Sequence, residues 1–282
     1  MIECQQNIVT KRYLPDPSLL NEVCFYHIIK GVTKQSFTFL PDSINVIVFQ
    51  LHGSVNTRPP EAGHNLASVR LSGAFTNSRS FYTSDYFEVI MVHLKPWALH
   101  RLLNVHMNGY RNYIFEESDS SNPIFEDNFV SRLSEISEDR QKIKFIEQRL
   151  KNKLAMTSNP RTEELIRAVG LIDDQMGLLS SSILAGHLNM SLKTLERRFN
   201  EMIGLTVKEY TSIIRLKNIF RHLQMDHISL TNVAYEAEFY DQSHFNRFFK
   251  KYTGMTPKEF LSTRNKSIKI VDFLQLYARQ LH

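Results

Sequence analysis

The C-terminal third of this 282-residue chain writes one short helical unit twice. The first copy runs Leu179-Ser180-Ser181-Ser182-Ile183-Leu184-Ala185, then Asn189-Met190-Ser191, Leu195-Glu196-Arg197-Arg198-Phe199 and Gly204-Leu205-Thr206-Val207-Lys208-Glu209-Tyr210. The second runs Ile228-Ser229-Leu230-Thr231-Asn232-Val233-Ala234, then Glu238-Phe239, Phe245-Asn246-Arg247-Phe248-Phe249 and Gly254-Met255-Thr256-Pro257-Lys258-Glu259-Phe260. Before the turn the offset is 49 residues (Ser180 to Ser229), and after it 50 (Arg197 to Arg247), so the second loop is one residue longer. A repeated helical unit with matched basic positions suits a partner with repeated features, and double-stranded DNA is such a partner.

Each copy reads as a helix-turn-helix. Ser180 and Ser229 stand where a short hydroxyl caps the free amides of a first turn. Leu179 with Leu184, and Ile228 with Val233, have the spacing of a hydrophobic staple. Ala185 and Ala234 are small enough for a second helix to cross closely. The tight turn calls for a residue that tolerates positive φ, which Asn189 does cheaply and Glu238 does not. A second helix starting at Ser191 puts Leu195, Phe199 and Met202 on a core stripe and turns Lys193, Glu196, Arg197 and Asn200 outward. In the second copy Phe245, Phe249 and Tyr252 form the stripe, leaving Gln242, Ser243, Asn246, Arg247 and Lys250 outward, with Lys251 beside them. Such side chains suit DNA: Arg pairs with guanine, Asn or Gln with adenine, and Lys binds phosphate as a point charge.

At these residues, over about 162–262, the chain resembles the AraC/XylS family of bacterial transcription regulators; Asn232 through Pro257 is close to that family's signature. The resemblance implies two helix-turn-helix units joined by a long helix, here Thr206–Met225. It implies Lys193, Glu196 and Arg197 near bases in the first unit, and Gln242, Ser243, Asn246 and Arg247 in the second. It also implies an activator of transcription working with RNA polymerase. Glu238 departs from the family's usual Gly and puts the geometry or stability of the second turn in question.

Charge is divided unevenly. From Ser180 onward there are 15 Lys and Arg against 9 Asp and Glu, while residues 1–179 hold 19 against 20. The basic surplus therefore sits in the repeated half, as a phosphate-binding surface requires. Cys4 and Cys24 give neither a disulfide framework nor a metal quartet. With no signal-like start and no apolar run near membrane length, the expectation is a cytoplasmic protein without a membrane partner.

The expected fold class is a two-domain α+β chain: residues 1–160 a mostly-β barrel or sandwich with helices, residues 162–264 an all-α DNA-binding domain, and 265–282 a tail. Val23–Ile29, Gln35–Leu40, Ile44–Leu51 and Tyr86–Leu94 read as strands. A short helix follows from Pro96 to about Asn104, 56–65 reads as an exposed loop, and 157–161 as the linker. The stretch Pro41 to Phe49, with Gly73-Ala74-Phe75, resembles the cupin-like sensor half of some family members, which implies an effector site or dimerisation. A helical stretch over 128–154 carries Phe129, Leu133, Ile136, Ile143, Ile146, Leu150 and Leu154, with a break near Asp139. That stripe suits packing on the β-domain or pairing with a second copy in a homodimer.

Catalytic chemistry does not assemble, so no enzyme, cofactor or metal site is expected. His27, His52, His64, His93, His100 and His106 lack ligand spacing, and phosphate loops, a nucleophile elbow and paired-carboxylate motifs are absent. Cys24, between Val23 and Phe25, reads as buried and inert. Phe37, Phe39, Phe49, Phe75, Phe81, Phe87 and Trp97 suit a core better than an effector pocket. Besides a regulator with an effector-controlled first half, two alternatives remain: a DNA-binding protein whose first half is only a scaffold, and a repair enzyme with a reactive Cys.

Overall fold

The structure is a computed structural model, which describes residues 7–32, 36–57, 68–84, 86–117, 120, 123–157, 161–223 and 229–263. Several expectations lie outside these residues: Cys4, His64, most of the 56–65 loop and of the 157–161 linker, Met225, Ile228 and the 265–282 tail. The Phe37 side chain is likewise outside them.

In order, the chain forms β1 (Asn7–Tyr13), β2 (Val23–Val32), β3 (Ser36–Phe39), β4 (Asn45–His52), β5 (Val55–Asn56), β6 (Val69–Ser72), β7 (Arg79–Thr83), β8 (Tyr86–Leu94), α1 (Ala98–Leu103), β9 (Ile114–Glu116), α2 (Phe129–Glu135), α3 (Asp139–Ala155), α4 (Arg161–Asp174), α5 (Ser181–His187), α6 (Leu192–Met202), α7 (Val207–Leu223), α8 (Leu230–Glu236), α9 (Gln242–Thr253) and α10 (Pro257–Thr263). The α+β class holds. Two compact units are present: the described parts of 1–36, 44–74 and 80–159 in one, and of 37–43, 75–79 and 160–263 in the other.

The first unit centres on an open six-stranded sheet of order β1-β2-β8-β4-β6-β9, and β5 pairs with β7 in a smaller sheet. The described strands close no barrel; the sandwich form of the expectation is the one that fits. Neighbouring strands of the large sheet run antiparallel, with Tyr13 opposite Tyr26, His27 opposite Met91, Phe49 opposite Ile90 and Leu71 opposite Phe115. Along β4 the buried residues alternate, Asn45, Ile47 and Phe49 inward, which is the period a one-faced strand demands.

That inward face meets α1, α2 and α3. Ile47, Phe49, Leu71 and Ile90 share one core with Leu99, Leu102, Phe129, Leu133, Ile143, Ile146 and Leu150. The 128–154 stripe is therefore spent inside the unit, and this decides between its two readings in favour of intramolecular packing. The break falls where expected: α2 ends at Glu135 and α3 starts at Asp139. A buried ion network ties α3 to the strands. Lys142 of α3 and Lys30 of β2 each lie 3.0 Å from the Glu88 carboxylate on β8. Burial works to raise the Glu88 pKa; hydrogen bonds from Lys142 and Lys30 overturn that and hold it below the ordinary range.

Of the aromatic set, Phe49, Phe87 and Trp97 are buried core residues. His93 stacks on Phe25 at 4.2 Å between ring centroids, and burial holds its pKa well below the usual histidine range. Cys24 is buried in β2. No described helix is long and apolar enough to cross a membrane.

The second unit recruits two short segments from the first half of the sequence. Asp42 and Phe75 exchange backbone hydrogen bonds, Asp42 pairs with Lys217 of α7, and the Ser78 hydroxyl donates to the Tyr252 carbonyl at 3.1 Å. Helical periodicity gives no sign of this recruitment.

Candidate nucleic-acid interface

The two helix-turn-helix units are α5 with α6 and α8 with α9, and α7 joins them. Ser180 accepts from the Ile183 amide and Ser229 from the Asn232 amide, so both expected caps form. Ser191 is the N-cap of α6, which starts one residue later than expected, at Leu192; Asp241 caps α9 through the His244 amide. Leu184 and Val233 are fully buried, as are Leu195, Phe199, Phe245 and Phe249 on the core stripes.

The turns match closely. Asn189 and Glu238 both have φ of 51°, and the residue after each donates back to the small alanine: Met190 to Ala185 at 3.0 Å, Phe239 to Ala234 at 2.9 Å. Glu238 thus occupies the left-handed region despite its Cβ. The offset changes between Phe239 and the Asp241 cap, so the extra residue of the second loop is Tyr240, whose side chain is 95% exposed.

Arg215 of α7 explains how the second turn is held. Its guanidinium donates to the Ala237 carbonyl at 2.8 Å and to the Glu238 carbonyl at 2.9 Å, and lies 3.8 Å over the Phe239 ring. The left-handed turn is braced from the connector by a planar fork that only Arg supplies. The sequence offers no local sign of this, because the partners lie 22 residues apart.

The helix that follows each reading helix starts with a capping box, which the sequence signals locally. Thr206 and Glu209 form a reciprocal capping box at the start of α7: the Thr206 amide donates to the Glu209 carboxylate at 3.0 Å, and the Glu209 amide to the Thr206 hydroxyl at 3.1 Å. Thr256 and Glu259 repeat it at the start of α10, at 2.7 and 3.3 Å. A Thr followed three residues later by Glu is the sequence sign of that box.

The expected reading residues divide into engaged and open ones. In the first unit Lys193 is exposed. Arg197 is exposed and paired with Glu201 one turn on, at 3.3 Å. Glu196 and Asn200 depart from the outward expectation. Glu196 is half-buried and accepts the Val207 amide at 3.2 Å, capping α7. Asn200, also half-buried, donates to the Glu196 carbonyl at 2.9 Å. In the second unit Gln242, Ser243, Arg247, Lys250 and Lys251 are exposed and Asn246 half-buried. Three cations elsewhere in the C-terminal domain are tied internally: Arg198 of α6 to Glu164, Lys217 of α7 to Asp42, and Arg215 of α7 to the second turn. Burial of the engaged set and exposure of the α9 set leave a polar, positive strip along one face of α9.

Comparison with known proteins agrees with this geometry. Residues 184–263 match a family described as a helix-turn-helix domain, and residues 11–116 match a domain of unknown function. The transcriptional activator RhaS of Escherichia fergusonii is 27% identical over 120 residues, 42% of this chain and 43% of its own length. RhaS of Escherichia coli is 29% identical over 82 residues, 29% of this chain and 30% of its own. The chain thus spans less than half the length of these relatives. The structure of ToxT from Vibrio cholerae aligns at a TM-score of 0.46 and 14% identity, covering 90% of this chain and 98% of that one. At a TM-score below 0.5 that alignment carries no weight, and the likeness rests on the domain match and the RhaS alignments. Over these matched residues the chain is similar to the helix-turn-helix domain of AraC-type regulators of transcription such as RhaS.

Proposed function

We propose that this protein is a sequence-specific regulator of transcription, acting as an activator with RNA polymerase and reading two adjacent major grooves of double-stranded DNA. Residues 162–264 are the DNA-binding domain in this reading, with Lys193, Glu196, Arg197 and Asn200 from α6 and Gln242, Ser243, Asn246, Arg247, Lys250 and Lys251 from α9 at the interface. Glu196 acts there by fixing α6 against α7 through the Val207 amide, and Asn200 by bonding back along α6 to the Glu196 carbonyl. Residues 1–160 carry effector control or self-association. The observation that carries the reading is the exposed face of α9, where Gln242, Ser243, Arg247, Lys250 and Lys251 project from a helix whose opposite face is core. A helix so mounted offers the Gln242 amide and the Ser243 hydroxyl at the depth of base edges and its cations to the DNA strand.

The test is genomic. Crosslinking of the full chain to its DNA, with transcript levels compared in its presence and absence, should place bound sites beside genes whose transcripts fall when it is removed. Binding scattered without relation to transcript change contradicts the reading. Effector control is tested separately: a metabolite that binds the folded first half raises its melting temperature in proportion to the logarithm of ligand concentration.

A further inference from the structure

We infer that the groove between α7 and α9 seats the sugar-phosphate backbone of bound DNA, with Lys208, Arg247 and Lys251 closing on it as a phosphate clamp. This deepens the DNA-binding reading and rests on it. The groove has a volume of about 450 Å³. Lys208 and Glu209 line it from the first turn of α7, and His244, Arg247 and Lys251 from one stripe of α9. Phe248 and Tyr252 add apolar wall.

The charge arrangement calls for an anion. In the first unit Arg197 is followed one turn later by Glu201, and the two form an ion pair. At the matching positions, 50 residues on, Arg247 is followed by Lys251. An acid in one copy is a base in the other, on the same helical stripe. Two cations at i and i+4 repel. Among the described residues neither has an acidic partner, and Lys208 across the groove has none either. The one carboxylate present, Glu209, is already committed to the Thr206 amide and hydroxyl, both at 3.0 Å. Three cations therefore face a cleft that contains no free counter-charge of its own.

DNA backbone fits this cleft better than base edges do. Bases lie at the bottom of the major groove and are reached by the outward tip of a helix, here Gln242, Ser243 and Asn246. A cleft between two helices grips a strand from its side. Lys binds phosphate without regard to base, and an Arg fork binds phosphate as readily as guanine. The position also suits a double reader, because α7 leaves the first reading helix and α9 is the second. A strand passing from one read groove to the next meets the cleft in between.

The experiment measures binding of the full chain to two duplexes across a salt series: one selected for tight binding, one of random sequence and equal length. Wild type is compared with Lys208→Ala, Lys251→Ala and Lys251→Glu, and with Lys144→Ala on α3 of the other unit as control. Melting curves equal to wild type establish that folding is intact. Each alanine variant should weaken both duplexes by the same factor, about eightfold near 0.1 M salt. Each should also flatten the slope of log affinity against log salt by about 0.9, the counterion term for one phosphate. Lys251→Glu, which restores the first unit's ion pair, should flatten it at least as much, and Lys144→Ala should change nothing. Unchanged slopes in all variants, with wild type still binding steeply, overturn the clamp and leave the DNA-binding reading standing. Weakening confined to the selected duplex assigns these residues to bases and also overturns it. A wild type that binds neither duplex overturns both.

Discussion

The two helix-turn-helix units share a plan and differ in how each is stabilised. In the first, the left-handed turn residue is Asn189, which tolerates φ of 51° by itself, and among the described residues no side chain of the connector donates to it. In the second, Glu238 takes the same φ, and Arg215 reaches across to hold the carbonyls on both sides of the turn. The first reading helix neutralises Arg197 with Glu201, and the second leaves Arg247 beside Lys251. The lesson is that a duplicated motif can keep its backbone while moving the source of its stability from a local residue to a distant one.

Removing the brace should break the comparison most. Arg215→Ala leaves two carbonyls without their charged donor and takes a cation from the Phe239 face, a loss of about 3 kcal/mol. Hydrogen exchange should speed up in α8 and α9 and stay unchanged in α5 and α6. Arg215→Lys should recover little, since a compact ammonium has no planar fork that can bond both carbonyls while lying flat on the Phe239 ring. Equal loosening of both units would show that Arg215 is not specific to the second turn.

Base recognition comes next. Arg197→Ala and Gln242→Ala should each relax base preference at one short position, at about 1–3 kcal/mol apiece, with the two positions in different grooves. Base preferences read from bound random DNA check this. Loss of affinity without any change in preference would place both side chains on phosphate.

Glu238→Gly should stabilise the second unit by about 1 kcal/mol, because glycine reaches the left-handed region without a Cβ penalty. Asn189→Gly in the first should be close to neutral. Chemical denaturation of the full chain separates the two outcomes, and a lower midpoint for Glu238→Gly would show that its side chain makes a stabilising contact.

The smallest effect tests likeness instead of difference. Thr206→Ala and Thr256→Ala should cost about 1 kcal/mol each, since both remove the hydroxyl of a capping box. In the second box the Thr256 amide, followed by its hydroxyl, holds the Glu259 pKa below the ordinary glutamate value. A depressed carboxyl stabilises the fold above the ordinary glutamate range and stops doing so as pH falls through its lowered pKa. Thr256→Ala should therefore lose effect in acid, which denaturation at pH 7 and pH 3 can check.

Legibility in the sequence followed distance along the chain. The caps at Ser180 and Ser229, the turns at Asn189 and Glu238, the core stripes and the strand at 86–94 are local patterns of period 3.6 or 2, or a single residue type at a fixed offset, and the structure matches them. The short helix at Ala98–Leu103, closed by Asn104 with φ of 53°, belongs to the same class. The Asp139 break did too. Short strands such as Val69–Ser72 and Ile114–Glu116 escaped because three or four residues hold no periodicity. Contacts between residues far apart were out of reach for a different reason. Nothing near Glu196 announces that its carboxylate will cap Val207, nothing near Arg215 announces Ala237, and nothing in 37–43 or 75–79 announces a place beside α7 and α9. The capping boxes were local and could have been found from Thr206-x-x-Glu209 and Thr256-x-x-Glu259.

Enrichment of DNA from a random pool, followed by base-resolution footprinting of the winning duplex on the full chain, tests the central claim most directly. Two units mounted on one connector, both reading, predict two short protected clusters of preferred bases about one helical turn apart, roughly 34 Å along the axis. Arg197→Ala should erase preference in one and Gln242→Ala in the other. A single cluster, or a pool that shows no enrichment at any position, contradicts the claim that both units read DNA.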